Sequence, residues 1–120
     1  MKEKNLSGPK IPEPSDADIE ATIKRVNTKY DKVIRRDDAI ILTKLYAELE
    51  WWFLVDKFSR EPKSISIDAA KEMREYFQKI NGRDMTLDEA HDYAKSALAK
   101  KILSEKERLA KNIKDFIENC

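Results

Sequence analysis

The chain has 120 residues, a length that fits one domain and can bury a core without disulfides or metal ions. Charged residues make up 39% of it, well above the roughly 25% of an ordinary domain. Since 41% is hydrophobic as well, this balance favours long helices with one solvent-facing side. The net charge of +1 gives no indication of binding to nucleic acid or to an anionic membrane.

The number of cysteines and the length of the apolar runs indicate the cellular compartment of the protein. The single cysteine, Cys120, excludes a disulfide within the chain and suits a reducing environment. The longest apolar run covers the five residues 51–55, far fewer than the roughly 18 that suggest a membrane span. Residues 1–10 lack the apolar stretch of a signal peptide. We therefore expect a cytoplasmic protein with no membrane partner.

The first elements are a tail and a helix. Residues 1–14 hold three of the four prolines and predict a flexible tail, and residues 15–120 predict a single helical domain. Ser15 is a suitable N-cap for the first helix. Five apolar residues then follow at spacings of 4, 3, 4 and 3 and predict its buried seam: Ile19, Ile23, Val26, Tyr30 and Val33. The charged run 35–38 interrupts this seam, which indicates a break and a second helix from about Asp38. One long bent helix is the alternative, because no glycine or proline enforces a turn.

The second helix holds the aromatic centre of the chain. Residues 42–58 contain five of the ten aromatic side chains, including both tryptophans. Their apolar residues extend around more of a helix than one face can hide. We expect this to be the central helix of the fold, and Pro62 to follow its end.

Capping signals define the remaining helices. Ser66 predicts the start of a third helix, and Gly82 its end. Its apolar seam is predicted at Ile67, Ala70, Met73, Phe77 and Ile80. Thr86 and Glu89 have the spacing of a capping box and predict a fourth helix. A second capping box at 104–107 indicates a fifth, although one continuous helix to about residue 118 is the alternative. The sequence thus predicts an all-α fold, a bundle of four or five helices.

No catalytic or metal-binding set emerges from the motifs. Residues 88–91 spell the DEAH of a helicase motif, but the chain has no phosphate-binding glycine loop to accompany it. His91 is the only histidine, so neither a di-metal carboxylate site nor a hydrolase triad can be assembled. We expect His91 on the surface of the fourth helix. We also expect no enzyme activity, no cofactor, no metal and no small-molecule substrate.

The adjacent tryptophans suggest an interaction surface. Trp51 and Trp52 differ by about 100° around a helix, so both cannot face the centre of the same core. Tryptophan is enriched at interface hot spots. The candidate partner contacts are Trp51, Trp52, Phe53 and Phe58, and the partner is another protein or a second copy. The alternative is a central helix that neighbours enclose on several sides.

A basic stretch offers an alternative function. Residues 95–114 contain seven basic and two acidic residues. Such a stripe could bind a nucleic-acid backbone, with these candidate contacts: Lys95, Lys100, Lys101, Lys106, Arg108 and Lys111. A solvated helix face is the structural alternative. A helix-turn-helix from the third and fourth helices fits less well, because Asp88 and Glu89 at its leading end would oppose phosphate.

One segment resembles known proteins. From Tyr76 to Leu103 an aromatic helix end, a glycine turn and a T-x-x-E-A-x-x-x-A helix start follow one another. The residues that carry the pattern are Phe77, Gly82, Thr86, Glu89, Ala90 and Ala94. The segment resembles a hairpin of short uncharacterised helical proteins of bacteria and mobile elements. The resemblance implies no activity, and it implies an accessory factor or inhibitor of bacterial, phage or plasmid origin.

Overall fold

The computed structural model describes residues 11–120, and within them it contains five α-helices and one short 3-10 helix. The helices are α1 (Asp16–Tyr30), α2 (Arg36–Arg60), α3 (Ile67–Asn81), α4 (Leu87–Ser96) and α5 (Ala99–Glu118), with the 3-10 helix at Pro62–Ser64. The all-α prediction is confirmed, in its five-helix form. Of the predicted tail 1–14, residues 1–10 lie outside the described part, and residues 11–15 have no regular secondary structure.

The first two helices are separate, so the single bent helix is wrong. After Tyr30 the chain enters the left-handed region at Asp31, with φ at 56°, and residues 31–35 form no helix. The next helix starts at Arg36, two residues before the predicted start, so Asp38 lies in its first turn instead of capping it. An acidic side chain at this place is favourable, because the free N–H groups of a helix start carry partial positive charge.

The linker also ends the predicted seam of α1. Val33 is 84% exposed, whereas its neighbour Ile34 is buried in the core. Helical periodicity does not apply beyond Tyr30, because the chain is no longer helical there. The prediction that Val33 is a core residue is therefore wrong.

Three of the predicted caps are confirmed. Ser15, Ser66 and Thr86 each accept a hydrogen bond from a backbone N–H of the first turn that they cap. Thr86 and Glu89 form the complete capping box, because the Thr86 backbone N–H donates to the Glu89 carboxylate at 2.8 Å. Gly82 has a φ of 73° and ends α3 in the left-handed conformation, where a side chain would be costly.

The capping box predicted at 104–107 does not exist. The last helix begins at Ala99, so Ser104 lies inside it. The chain turns at Ala97 and Leu98, and Leu98 is buried where the two helices meet. This separates α4 from α5 and excludes the continuous helix.

The longest helix, α2, runs antiparallel to α5 and is central to the fold. Asp56 near the end of α2 pairs with Lys106, whereas Glu48, two turns earlier, pairs with Arg108 further along α5. The carboxyl half of α2 packs into a first core cluster with α3 and α4, whose largest members are Trp52, Phe58, Met73 and Phe77. The amino half packs into a second cluster with α1 and the end of α5, whose members include Val26, Ala39, Leu42 and Ile117.

The two clusters use different sides of α2. Leu42 and Phe58 are both buried, yet they differ by about 160° around the helix. Leu45 and Leu49 lie between these two residues in the sequence, and each of them packs against both clusters. Neighbours on several sides therefore account for most of the apolar arc of α2, as the alternative to a partner surface predicted, but they leave Phe53 52% exposed.

The first helix runs alongside the amino half of α2 in the same general direction. Asp16 pairs with Arg36, the Thr22 and Thr43 hydroxyls are 2.6 Å apart, and Arg25 lies over the Tyr46 ring. From one contact to the next, the residue numbers increase in both helices. In an antiparallel hairpin they would increase in one helix and decrease in the other. The linker returns the chain to the start of α2, and Lys32 within it donates to the carbonyl of Ile117 at the end of α5 at 2.9 Å.

Within residues 11–120, every helix is too short or too polar to cross a membrane.

Candidate protein-interaction surface on α2 and α5

Two of the four predicted partner contacts belong to the core. Trp52 and Phe58 are fully buried, because their side of α2 faces α3 and α4. Neither can reach a partner while the protein is folded, so the prediction is wrong for both. Trp51 is partly buried, with its ring edge-on to Tyr76 at 5.1 Å between centroids. Of the four, Phe53 is the side chain that the fold leaves well exposed, at 52%.

Phe53 lies beyond the part of α2 that packs into the second cluster. An apolar stripe along α2 has spacings of 3, 4, 3 and 4, at Ala39, Leu42, Tyr46, Leu49 and Phe53. The stripe packs into the second cluster as far as Leu49. From α1, the Arg25 guanidinium lies 4.0 Å from the centroid of Tyr46, and Val26 and Tyr30 pack into the same cluster. Phe53 comes two turns later and belongs to neither cluster.

The lysine that contacts Phe53 lies one turn from an exposed leucine on α5. The Lys106 ammonium lies 4.8 Å from the centroid of the Phe53 ring, which brings this part of α5 against the ring. Leu103 is one turn before Lys106 on α5 and is 55% exposed. Residues three apart on a helix share a face. We call the area of Phe53, Leu103, Lys106 and Asp56 the Phe53–Leu103 surface.

An ion pair holds Lys106 in place across the ring. Its ammonium donates to the Asp56 carboxylate at 2.9 Å, and both side chains are about four-fifths buried. Arg60 donates to the same carboxylate at 3.1 Å. Burial by itself would raise the pKa of Asp56, but the hydrogen bonds from Lys106 and Arg60 outweigh it and lower the pKa. The carboxylate therefore stays ionised, and the lysine stem is fixed beside Phe53.

A second ion pair joins α2 to α5. Glu48 lies beside Arg108, and burial raises the pKa of its carboxyl despite the arginine. Tyr76 of α3 lies near both Glu48 and Glu105. Burial, reinforced by these two carboxylates, raises the pKa of Tyr76 to about 12.

Most of the predicted basic stripe is paired with acidic side chains. Lys106 pairs with Asp56, Arg108 with Glu105 and Glu48, Lys101 with Glu105, and Lys111 with Asp115. Two of these partners, Glu48 and Asp56, come from α2 and cannot be recognised from the local sequence. Lys95 and Lys100 are exposed and have no ion pair within residues 11–120. Backbone binding needs cations that are available to phosphates, so a continuous stripe is not supported.

His91, which the sequence predicted on the surface of the fourth helix, is partly buried, with 22% of its side chain exposed. Its Nε2–H donates to the carbonyl of Ser59 at 3.1 Å, and its ring lies edge-on to Phe58 at 5.9 Å. The histidine thus fastens α4 to the end of α2. In the part of the chain from residue 11 onward, no group of three or more His, Cys, Asp and Glu side chains is placed to hold a metal ion.

From residue 11 onward, the chain forms five helices with two core clusters around one shared helix, α2. Compared with known proteins, the chain matches no family model, no curated protein and no solved structure. The resemblance of Tyr76–Leu103 to bacterial and mobile-element proteins therefore stays a prediction.

Proposed function

We propose that this is a non-enzymatic interaction protein that docks on another protein or on a second copy of itself through the Phe53–Leu103 surface. The observation that carries the proposal is the half-exposed Phe53 ring with Lys106 fixed across it, one turn along α5 from the exposed Leu103. An aromatic side chain surrounded by apolar and fixed polar groups is the usual centre of an interface hot spot.

The energetics of the surface support this proposal. Fully burying a phenylalanine or leucine side chain contributes about 1.5–3 kcal/mol each, and about half of each side chain is still accessible to a partner. Lys106 and Asp56 already hold each other, so little side-chain freedom is lost when a partner covers them. The partner that fits best is a protein helix or loop that presents an apolar side chain to Phe53.

The finer parts of the proposal rest on the sequence. The free thiol of Cys120 and the shortness of the apolar runs support a cytoplasmic location. An accessory factor or inhibitor of bacterial, phage or plasmid origin is supported by the Tyr76–Leu103 resemblance alone. Binding to nucleic acid is the competing function, and within the described residues Lys95 and Lys100 are the predicted contacts that best support it.

The test compares variants in affinity capture from the native host, followed by binding measurements with the purified partner. We expect Phe53→Glu and Leu103→Glu to weaken binding at least tenfold, because each places a charge in the apolar centre. Val33→Glu is the matched control, since Val33 is exposed in the linker before α2, and the start of α2 lies about 25 Å from Phe53 along the helix axis.

Two results would overturn the proposal. One is a partner that Phe53→Glu and Leu103→Glu bind as tightly as the unchanged protein. The other is binding that falls steeply with salt and disappears in the double variant Lys95→Glu with Lys100→Glu, which would indicate a nucleic-acid backbone.

A further inference from the structure

Opposite charges flank Phe53 along α2. Glu50 lies three residues before Phe53 and Lys57 four residues after it, and both are exposed. Residues at these spacings share a face of a helix. The two charges are seven residues apart, about 10 Å along the axis. The apolar centre on α2 therefore has an acidic end and a basic end.

The same pattern occurs in reverse on α5. Lys100 lies three residues before Leu103 and Glu107 four residues after it, and both are exposed. The two helices are antiparallel, as the pairs of Asp56 with Lys106 and of Glu48 with Arg108 show. Because α5 runs in the opposite direction to α2 and also carries its two charges in the opposite order, residues of the same charge lie at the same end of both helices.

As a result, like charges gather at each end of the surface. Glu50 and Glu107 lie towards one end, and Lys57 and Lys100 lie towards the other. None of these four side chains has an ion-pair partner in residues 11–120. In contrast, the charges at the centre, on Lys106 and Asp56, are paired with each other. The outer charges are thus the ones that can pair with a partner.

This arrangement is complementary to itself. A two-fold axis across the helices, lying in the plane of the surface, places the acidic end of one copy over the basic end of the other. We infer that a second copy of this chain occupies the Phe53–Leu103 surface, with α2 antiparallel to its copy and Glu50 opposite Lys57 of the second copy. A two-fold contact is closed, so each such pair is formed twice. The inference rests on the proposed docking surface and specifies its partner.

The geometry excludes the other face-to-face arrangement. A two-fold axis parallel to the helices would place α2 over α5 of the second copy, with acidic end over acidic end. Like charges brought together at an interface are unfavourable. Only the crossing axis satisfies both the apolar centre and the four outer charges.

The expected dimer is weak and depends on salt. Phe53 and Leu103 are two large side chains per copy, whereas a stable interface buries about 800 Å² per partner. The outer pairs are exposed, and salt screens exposed pairs. We expect a monomer–dimer equilibrium that shifts to the dimer at high protein concentration and low salt.

Sedimentation velocity with charge-reversal variants tests the inference. Glu50→Lys and Lys57→Glu should each weaken self-association about tenfold, because each reverses two symmetry-related pairs. An equimolar mixture of the two single variants should dimerise again, since each supplies the charge that the other needs. The double variant Glu50→Lys with Lys57→Glu should also recover. Circular dichroism checks that all variants keep their helices.

Three results would overturn the inference: a monomeric full chain at high concentration and low salt, single variants that dimerise as before, or a mixture that stays monomeric. If any of these occurs while Phe53→Glu still abolishes capture of another protein, the second copy is excluded and the proposed function stands. If the charge reversals behave as expected but no other protein depends on Phe53, self-association stands and docking on a different protein fails.

Discussion

Trp52 and Phe53 are consecutive in α2, yet the Trp52 indole is completely buried and the Phe53 ring is half exposed. One residue turns the helix by about 100°, from the first core cluster to a position that belongs to neither cluster. This relationship separates the stabilising aromatic side chain from the one that is available to a partner. It also shows that two neighbouring aromatic residues of similar hydrophobicity have different roles.

The first prediction compares truncation of these two neighbours. Trp52→Ala should lower the free energy of unfolding by about 3–5 kcal/mol, because it leaves a cavity in the core. Phe53→Ala should lower it by about 1 kcal/mol or less, mainly through loss of the contact with Lys106. Denaturant titrations of both variants measure the difference. Equal losses would show that Phe53 is also a core residue.

A second prediction concerns the two capping boxes, one real and one only apparent. Thr86→Ala should cost about 1 kcal/mol, because Thr86 satisfies a free N–H at the start of α4. Ser104→Ala should be neutral or slightly stabilising, because Ser104 lies inside α5 and alanine favours a helix interior. Thermal unfolding of the two variants compares them. A loss of stability in Ser104→Ala as large as that in Thr86→Ala would indicate that Ser104 caps a helix and that α5 does not start at Ala99.

The ion pair of Asp56 and Lys106 predicts a dependence of stability on low pH. The folded state lowers the pKa of Asp56, through Lys106 and Arg60. Its contribution is therefore complete above the unfolded pKa of about 3.9, and it is lost as pH falls through the folded pKa. Asp56→Asn should lower the free energy of unfolding by about 1 kcal/mol or less at neutral pH, since the pair is partly solvated.

Denaturant titrations at neutral and acidic pH measure this effect. The difference between Asp56→Asn and the unchanged protein should shrink once the pH is below the folded pKa of Asp56. A difference that stays constant over this range would show that the ionised carboxylate does not contribute.

The raised pKa of Tyr76 predicts that stability falls as pH rises in the alkaline range, whereas the contribution of Asp56 grows as pH rises in the acidic range. Its folded pKa of about 12 exceeds the ordinary value of 10.0, mainly because the ring is buried. Between these two values the unfolded chain releases the proton and the folded protein keeps it, so the free energy of unfolding falls as pH rises. Tyr76→Phe should remove part of this fall. Stability measured at pH values on both sides of 10 tests this, and an unchanged slope in Tyr76→Phe would contradict it.

Glu48 offers an independent check on the same tyrosine. Its negative charge is one cause of the raised pKa of Tyr76. Glu48→Gln should therefore lower that pKa, which an absorbance titration of the tyrosines measures. Glu50→Gln is a suitable control, because Glu50 lies on α2 but is not among the causes of the shift. The same titration curve for Glu48→Gln and for the unchanged protein would place Glu48 away from the ring.

The local signals in the sequence predicted the helices well. Ser15, Ser66, Thr86 and Gly82 mark helix ends in the structure, because a cap is formed by residues that are neighbours in the chain. The local signals gave wrong predictions where burial depends on helices that are distant in the chain. Ile67 was predicted in the seam of α3, but it is 76% exposed in the first turn, where no other helix covers it.

The amino-acid sequence alone is enough to establish that the protein is all-α, that α2 is its most apolar helix, and where most of the helices begin and end. Helical periodicity shows which side chains share a face, but it cannot show how far a neighbouring helix extends along that face. Only the packed structure shows that Trp52 and Phe58 are enclosed and Phe53 is not. The same holds for charge: Lys106 is neutralised by Asp56, which is 50 residues away in the chain, because α2 and α5 lie side by side. Burial and ion pairing depend on distances between elements that are remote in sequence, and folding sets those distances.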